Sequence, residues 1–517
     1  RDTGLGYGWV HSLAWEVEER GFALVVFTDT GTWEEFPKLE VGQEAQGKWG
    51  WTLRREKNGY VLDTNEGVWR EIAEEAPSQW HGDTINKRYR LTNLYDRNGN
   101  RIHLDYQDGA LAYITDSVGR TVRVDRTPEG RIAALRVRNA PTRGQWIAFA
   151  QYSYDDQGQL VGATDADGFQ NRYAYDDQGR HLLVENGYKT GLVFSFRYDR
   201  EGRCFESWGA YPGQRDPSLA TILPTHLSDG QTVIKGVHHV RIEYLPDGFR
   251  HVYDSTRLES YGCNEHGLLD MADIGGAVSK ATFRDDGWVM TETDPLKGVT
   301  VYERDGRGNV TSVTDPLGRK TTYERDPRGL VVKVVDPEGG VTEITRDGRG
   351  NVELIRDASG ALTSYQRDAR GMVTAIVDSR GGTTQLHHDP EANLVAVTLP
   401  NGAIWRYAYD AFGQLMSRTD PLSATTHYAY SNRGDLVSER NALNETTRYG
   451  YDGDGYLTQL VNPVGAITKL LWGGLHKLCE RVDANGHRVR LRYNFEGELL
   501  EVENEEGEVH HLDRDIN

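Results

Sequence analysis

The sequence predicts an all-β chain, a tandem array of β-hairpins of about 21 residues each winding into a large curled sheet. Three observations carry this expectation. A turn residue recurs with a fixed period, a second turn column lies half a period away, and the stretches between the two columns each hold a large apolar side chain in register.

The first column starts at Asp294 and steps by 21 through Asp315, Asp336, Asp357, Asp378, Leu399, Asp420, Asn441, Asn462, Asp483 and Asn504, so ten of eleven positions are Asp or Asn. Pro follows at 295, 316, 337, 421 and 463. The second column runs through Asp305, Asp326, Asp347, Asp368, Asp389, Asp410 and Asp452, with Gly three residues on at 308, 329, 350, 371, 413 and 455. Asp and Asn side chains bond their own backbone, Gly supplies positive φ, and Pro presets φ at the next position, so both columns are turn chemistry. The columns lie 10 and 11 residues apart, which leaves about five or six residues for each strand.

The strands between the turns carry two apolar columns. One is Val310, Val331, Val352, Val373, Leu394, Leu415, Leu436, Leu457, Leu478 and Leu499; the other is Tyr302, Tyr323, Ile344, Tyr365, Leu386, Tyr407, Tyr428, Tyr449, Leu470 and Leu491. These are read as the buried side, since stacked columns on neighbouring strands stabilise a sheet and segments so short cannot satisfy a helical period. Arg304, Arg325, Arg346 and Arg367 precede a turn Asp, and Arg307, Arg328, Arg349 and Arg370 follow it. Interleaved guanidinium groups would offset the repulsion of stacked carboxylates, which makes the columns devices for register and solubility.

From 294 to the end there are roughly ten units and about twenty strands, a sheet of roughly 95 Å at about 4.8 Å per strand. An open sheet that long curls into a wall. Residues 291–517 are therefore read as regular repeats and 91–205 as degenerate ones, the latter from Tyr95-Asp96, Tyr154-Asp155, Tyr175-Asp176 and Tyr198-Asp199. Residues 206–290 are less regular and read as a β insertion or repeats of variable length. Residues 1–90, with Trp9, Trp15, Trp33, Trp49, Trp51, Trp69 and Trp80, read as a β-rich cap, because arrays need atypical ends to block edge pairing.

Composition narrows the function. The 517 residues carry 59 Lys and Arg against 78 Asp and Glu, a net charge of −19 that repels phosphate backbones, so no nucleic-acid partner is expected through this region. Mean hydropathy is low at −0.64, yet aromatics reach 10%, which sets the chain apart from disordered sequence. Cys204, Cys263 and Cys479 are far apart and form no CxxC pair, against a zinc site or disulfide framework. No run of 18 apolar residues occurs, so no transmembrane segment is expected. The sequence starts at Arg1 without a signal peptide or an initiator Met, and reads as a piece of a longer polypeptide.

Sharper readings were weighed against plainer ones. The Asp columns could ladder cations, but calcium β-rolls use a shorter, denser repeat, so turns are preferred. Gly306-Arg-Gly308 and Gly348-Arg-Gly350 contain G-x-G without the following helix that a nucleotide fingerprint needs. The pairs His238-His239, His387-His388 and His510-His511 point to opposite faces of a strand and are read as solvated. His388 stands in the column that holds Arg in earlier units. A glycosidase pair of carboxylates, were there one, would be sought in 206–290. The column Tyr409, Tyr430, Tyr451, Trp472 and Tyr493 could stack sugars, though packing within the sheet is preferred. No residue is assigned as catalytic, cofactor-binding or metal-ligating, no cofactor is expected, and the chain is not read as an enzyme.

The units Tyr407-Ala-Tyr409-Asp410-Ala-Phe-Gly413-Gln-Leu415 and Tyr449-Gly-Tyr451-Asp452-Gly-Asp-Gly455-Tyr-Leu457 resemble the YD repeat of Rhs proteins. Asp-Pro-Leu-Gly at 315–318 and Asp-Pro-Glu-Gly at 336–339 match the second half of that motif, and Gly4-Leu-Gly6-Tyr-Gly8-Trp9 is similar to the segment that introduces the repeats. The resemblance is strong over 294–517 and moderate over 90–205. It implies a hollow β-cocoon, related to toxin-complex C components and teneurins, that encloses a C-terminal toxin domain. It further implies a shell made in the bacterial cytoplasm and secreted, often by type VI secretion, in interbacterial competition. The implied partners are the enclosed toxin and either tip proteins of the VgrG and PAAR type or a chaperone. The family's self-cleavage segment, a PAAR-type domain and a toxin domain are not found in this sequence, which ends at Asn517 in repeat-like residues. An extracellular adhesion or carbohydrate-binding scaffold is the second reading, and a β-helix-type enzyme the third.

Overall fold

The computed structural model of the chain describes residues 3–6, 8–81, 84–138 and 144–512. Tyr7 of the opening glycine-rich segment and the terminal Asn517 lie outside the described residues, as do the side chains of Trp49 and Trp80. Among the described residues there are 45 strands, no α-helix, and one turn of 3-10 helix at Lys48–Gly50. The fold is all-β and the sheet is antiparallel. The chain forms two compact units, each built from an early and a late stretch: residues 1–148 with 281–423, and residues 149–280 with 424–517.

The regular hairpin is set out by Val299–Arg304, Val310–Thr314, Lys320–Arg325 and Val331–Val335. Both kinds of connection use one device. Asp305 takes the backbone N–H groups of Arg307 and Asn309 on its Oδ1, each at 2.9 Å, and Asp315 does the same for Leu317 and Arg319 at 2.9 Å. The backbone N–H of the fourth residue donates to the first residue's carbonyl, Gly308 to Asp305 at 3.1 Å and Gly318 to Asp315 at 2.9 Å. That fourth residue is left-handed, with φ of +83° at Gly308 and +79° at Gly318, the reason Gly recurs there. The backbone amide of Arg319, helped by its guanidinium, holds the Asp315 carboxyl below the usual carboxylate range.

The two turns differ in what flanks them. Pairing runs Val301 with Thr314, Tyr302 with Val313 and Glu303 with Ser312, then slips by one residue so that Arg304 opposes Val310. The same bulge recurs before Arg325, Arg346 and Arg367, and none is found at the Asp315 type of turn. The bulge puts Val310, Val313, Tyr302 and Arg304 on one face. The other face carries cross-strand ion pairs such as Lys320–Glu303 at 2.9 Å and Lys333–Glu324 at 2.7 Å.

Burial departs from the sequence reading. Every member of the two apolar columns from Tyr302 to Leu499 is only half-buried. Full burial concentrates instead in the early stretch of the first unit, where Val17, Leu24, Leu53, Leu62, Ile72 and Leu91 are 0–1% exposed. There Thr84–Asp96 pairs with Glu16–Arg20, Val68–His81 and Arg101–Gln107 at once. Trp15 is buried beneath Arg70, whose guanidinium lies 4.2 Å from the ring. The second unit has its own small core of Leu192, Val237, Leu475 and Tyr493.

Some turns place a residue other than Gly at the left-handed position, among them Ala392 at φ +68°. Ala392→Gly is expected to stabilise by up to about 1 kcal/mol, and Gly381→Ala, at φ +82° with open space around a new Cβ, to destabilise by about 1 kcal/mol. Denaturant midpoints of the two variants moving in opposite directions would bear this out, and movement in the same direction would refute it.

Candidate functional site

The candidate functional feature is the wall of hairpins itself and the lines along which it is fastened. The first fastening is at the root of each bulged turn. Nε of Arg304, Arg325 and Arg346 donates to the carbonyls of Val289, Val310 and Val331, 15 residues back, at 3.0–3.1 Å. Their Nη1 atoms donate to the carbonyls of Gly308, Gly329 and Gly350 at 2.8–3.0 Å. In later units the same acceptor position is reached by the Tyr451 hydroxyl on Leu436, the Trp472 indole N–H on Leu457 and the Tyr493 hydroxyl on Leu478, at 2.7–2.9 Å. Earlier in the chain Tyr106, Tyr175 and Tyr198 make the same bond to Leu91, Leu160 and Leu183.

Arg, Tyr and Trp interchange in this column because each carries a donor at the end of a long arm. The contacts of Arg304, Arg325 and Arg346 are with these backbone carbonyls, not with the turn carboxylates. They set register through backbone carbonyls, and the aromatic column adds a polar bond to its packing. Some positions depart from this, among them Arg367, which keeps its bond to Gly371 at 3.0 Å while its Nε is buried without a partner, and His388, whose Nδ1 is buried without one too.

A second fastening runs along the turn tips. Nη1 of Arg307 donates to the carbonyl of Pro327, Arg328 to Gly348, Arg349 to Ala369, Arg370 to Pro390 and Arg433 to Gly453, each 20 residues ahead, at 2.5–3.0 Å. Arg328 and Arg370 also pair with their own turn Asp, so only part of the ion-pair reading holds. Partly exposed pairs of this kind within a turn are worth little, while the bonds to carbonyls tie these turns to the ones that follow them.

The third fastening is a seam inside each unit, where late turns dock on early ones. In the first unit Arg97 donates to the Gly350 carbonyl at 3.2 Å, Asn351 to Asn98 Oδ1 at 2.8 Å, and Asn100 to the Arg370 carbonyl at 2.9 Å. In the second unit Lys189 pairs with Asp165 at 2.5 Å, Arg433 reaches the same carboxylate at 3.5 Å, and the Thr190 hydroxyl donates to Asp454 at 2.6 Å. Ser255 gives its backbone N–H and its hydroxyl to Glu496 Oε1 at 3.1 and 2.7 Å.

Between these contacts lies a turn without its own Asp and Gly. Gly473 and His476 stand where the column has those residues, and His476 adopts φ +54°. The missing carboxylate comes from elsewhere: Asp216 Oδ2 accepts the Gly474 N–H at 2.9 Å, while its Oδ1 holds the Ser218 N–H and hydroxyl at 2.8 and 2.6 Å. A Cβ at Gly473 would fall 2.3 Å from that of Ser218. Backbone bonds continue the contact, Tyr493 N–H to Ser218 at 2.8 Å and Ala220 N–H to Tyr493 at 2.9 Å. Nothing in the sequence around Asp216 marks this contact; its one signal is the break of both columns at 473 and 476.

Buried ionisable groups sit away from any groove of paired carboxylates. In the 206–290 stretch, Glu206 meets Lys235 Nζ at 2.5 Å and His239 Nε2 at 3.0 Å. His239 is fully buried, against the expectation of a solvated histidine, and burial pushes its pKa down despite Glu206. Burial likewise pushes the Cys479 thiol up to about 11, which makes it unreactive. No cluster of three metal-ligating side chains occurs among the described residues. A cavity of about 280 Å³ beside Trp15 is bordered by Arg90 and Arg126, whose guanidinium groups already bond the carbonyls of Gly109, Leu111 and Gly130. Glu34 is 8% exposed with neither carboxyl oxygen hydrogen-bonded, and burial raises its pKa to about 7, with Lys48 opposing only in part.

Comparison with known proteins places these features. The RHS Repeat family model matches residues 285–320, 304–341, 346–383, 388–425, 409–444 and 430–467. A Burkholderia cenocepacia (strain H111) protein, double-stranded DNA deaminase toxin A, is 26% identical over 38% of this chain and 15% of that protein. The crystal structure of TcdB2-TccC3 without its hypervariable C-terminal region aligns with a TM-score of 0.44 at 12% identity, over 93% of this chain and 30% of that one. A Photorhabdus luminescens Tc holotoxin pore structure aligns at 0.41 and 13%, over 93% and 29%. The chain thus spans under a third of each of these relatives.

Two expectations follow from the geometry. Arg325→Leu is expected to cost about 1 kcal/mol and Arg325→Tyr to restore most of it, while His388→Tyr adds a bond of similar worth; equal denaturation midpoints for the Leu and Tyr variants would contradict the donor role. Glu34 binds its proton more tightly folded than unfolded. Its contribution to stability is therefore present below about pH 4.5 and is lost as the pH rises through about 7. Glu34→Gln should remove that loss, seen as a gain in melting temperature over the parent at pH 8 that vanishes at pH 4.5.

Proposed function

We propose that this RHS-repeat protein is the wall of a toxin-carrying polypeptide, a shell that encloses a C-terminal toxin domain during delivery and is not itself an enzyme. The observation that carries the reading is the set of six RHS repeats within 285–467, four successive turns of which are tied to the next by Arg307, Arg328, Arg349 and Arg370. A wall of this construction suits enclosure: its donors are spent on its own carbonyls, and its apolar columns lie half-buried on one face. The Burkholderia relative, itself named as a toxin, supports the toxin association.

The finer assignment belongs to the same proposal. The shell is secreted, by type VI secretion in competition between bacteria, with VgrG- and PAAR-type tip proteins or a chaperone as partners. Residues 1–90 serve as the starting cap, 91–205 and 291–517 as the repeat wall, and 206–290 as its variable part.

Cryo-EM of the complete polypeptide, paired with limited proteolysis, tests the reading. The expected outcome is density enclosed by the wall and a C-terminal segment that protease reaches only after denaturation. An open array whose C-terminal segment is cut at the rate of a free peptide would overturn encapsulation and move adhesion or glycan binding to first place.

A further inference from the structure

The stretch between strands Cys204–Ala210 and Val237–Tyr244 is an excursion that the sheet does not need. The two strands pair directly, Glu206 with Arg241, Ser207 with Val240 and Gly209 with Val237, so the sheet is continuous beneath it. The far half of the excursion is tied to its own side, Ser228 to the carbonyls of Asp254 and Arg257, Asp229 to Arg241 and Lys235 to Glu206. Its near half reaches the late stretch through few bonds: Asp216 on Gly474, and Ser218 and Ala220 on Tyr493.

The turn beneath leaves room for this contact and lacks the side-chain cap of its neighbours. Every neighbouring bulged turn closes on its own first side chain: Asp452 takes the amides of Asp454 and Tyr456, and Asn494 those of Glu496 and Glu498. The turn at 473–477 has Gly at that position, and Ser218 fills the space a side chain would occupy. Asp216, 258 residues away in sequence, takes the single amide of Gly474, while the turn keeps its own backbone bonds, Gly473 N–H to Lys477 and His476 N–H to Gly473. The arrangement can exist in two forms, a turn capped in trans by Asp216 or a bare turn with the strap displaced.

We propose that residues 211–220 are a releasable strap that closes the seam of the second unit, able to let go while the hairpins on both sides stay folded. Release costs the hydrogen bonds of the Leu219–Tyr493 bridge and of Asp216, exposes Ser218 and Ala220, and gives up the contacts of Tyr211 and Leu219 with the Leu192, Val237, Leu475 and Tyr493 core, but leaves the pairing of the named strands in place. Local openings of this kind need far less free energy than global unfolding. The inference stands on the contacts alone and does not depend on the shell reading.

Hydrogen exchange followed by mass spectrometry on the full chain tests it with two variants that predict different patterns. Asp216→Ala removes the trans cap, so exchange should quicken at least about tenfold in both 216–220 and 473–477. Gly473→Asp gives the turn its own cap while its side chain excludes Ser218, so 216–220 and Tyr493 should quicken while 473–477 stays protected. In both variants the first-unit hairpins over 347–372 should match the parent. Exchange that rises through the 436–461 hairpins in either variant would show the strap to be part of the folded wall, and unchanged exchange at 216–220 in Gly473→Asp would show that no displacement occurs; either result overturns the proposal. Should Asp216→Ala fail to fold, Gly473→Asp decides alone.

Discussion

The architecture depends on one interaction repeated at both ends of most regular hairpins: a carboxylate or amide oxygen at the first turn position that captures two backbone amides, with a left-handed residue two places before the strand resumes. Without it the chain would have no reason to reverse every ten or eleven residues, since its strands hold too little apolar surface to enforce a register by burial. The half-buried state of the Val310 and Tyr302 columns makes this explicit. In most sheets the core fixes the register and the turns adapt. Here the turns and the bulge beside Arg304 fix the register, and the apolar columns follow.

That order of causes explains why the root column tolerates Arg, Tyr and Trp. The requirement is a donor that spans the distance to a carbonyl 15 residues back, and side chains of very different charge and hydropathy meet it. Read as a sequence, the column looks like two columns, one basic and one aromatic, and invites two explanations. The structure shows a single role. His388, at the point where one type gives way to the other, has the wrong reach and leaves its Nδ1 unsatisfied.

What could be read from the sequence is what the period itself encodes. Asp294, Asp305 and their successors gave turn positions and strand lengths that agree with Val299–Arg304 and Val310–Thr314. The seams were not legible, because Arg97 with Gly350 or Asp216 with Gly474 are pairs separated by more than 250 residues, and the 21-residue period of the late turns says nothing about which early loop meets which of them. Burial of His239 was missed for a related reason: its partner Glu206 lies across an excursion of no regular spacing. The one sequence mark of a seam was negative, the loss of Asp at 473 and of Gly at 476 in columns otherwise well kept, and such a lapse reads as drift until the occupying Ser218 is seen.

The seam of the second unit meets its late turns at Arg433, Asp454, Gly474 and Glu496, one contact per repeat, against Asp165, Thr190, Asp216 and Ser255 on the early side. Two rows that engage tooth by tooth in the same order behave as a vernier. A whole repeat could be gained or lost without harm to any hairpin, yet it would carry every later tooth past its mate. Repeat number is thus not free to drift as it is in simple solenoids: the early and late stretches must change length together.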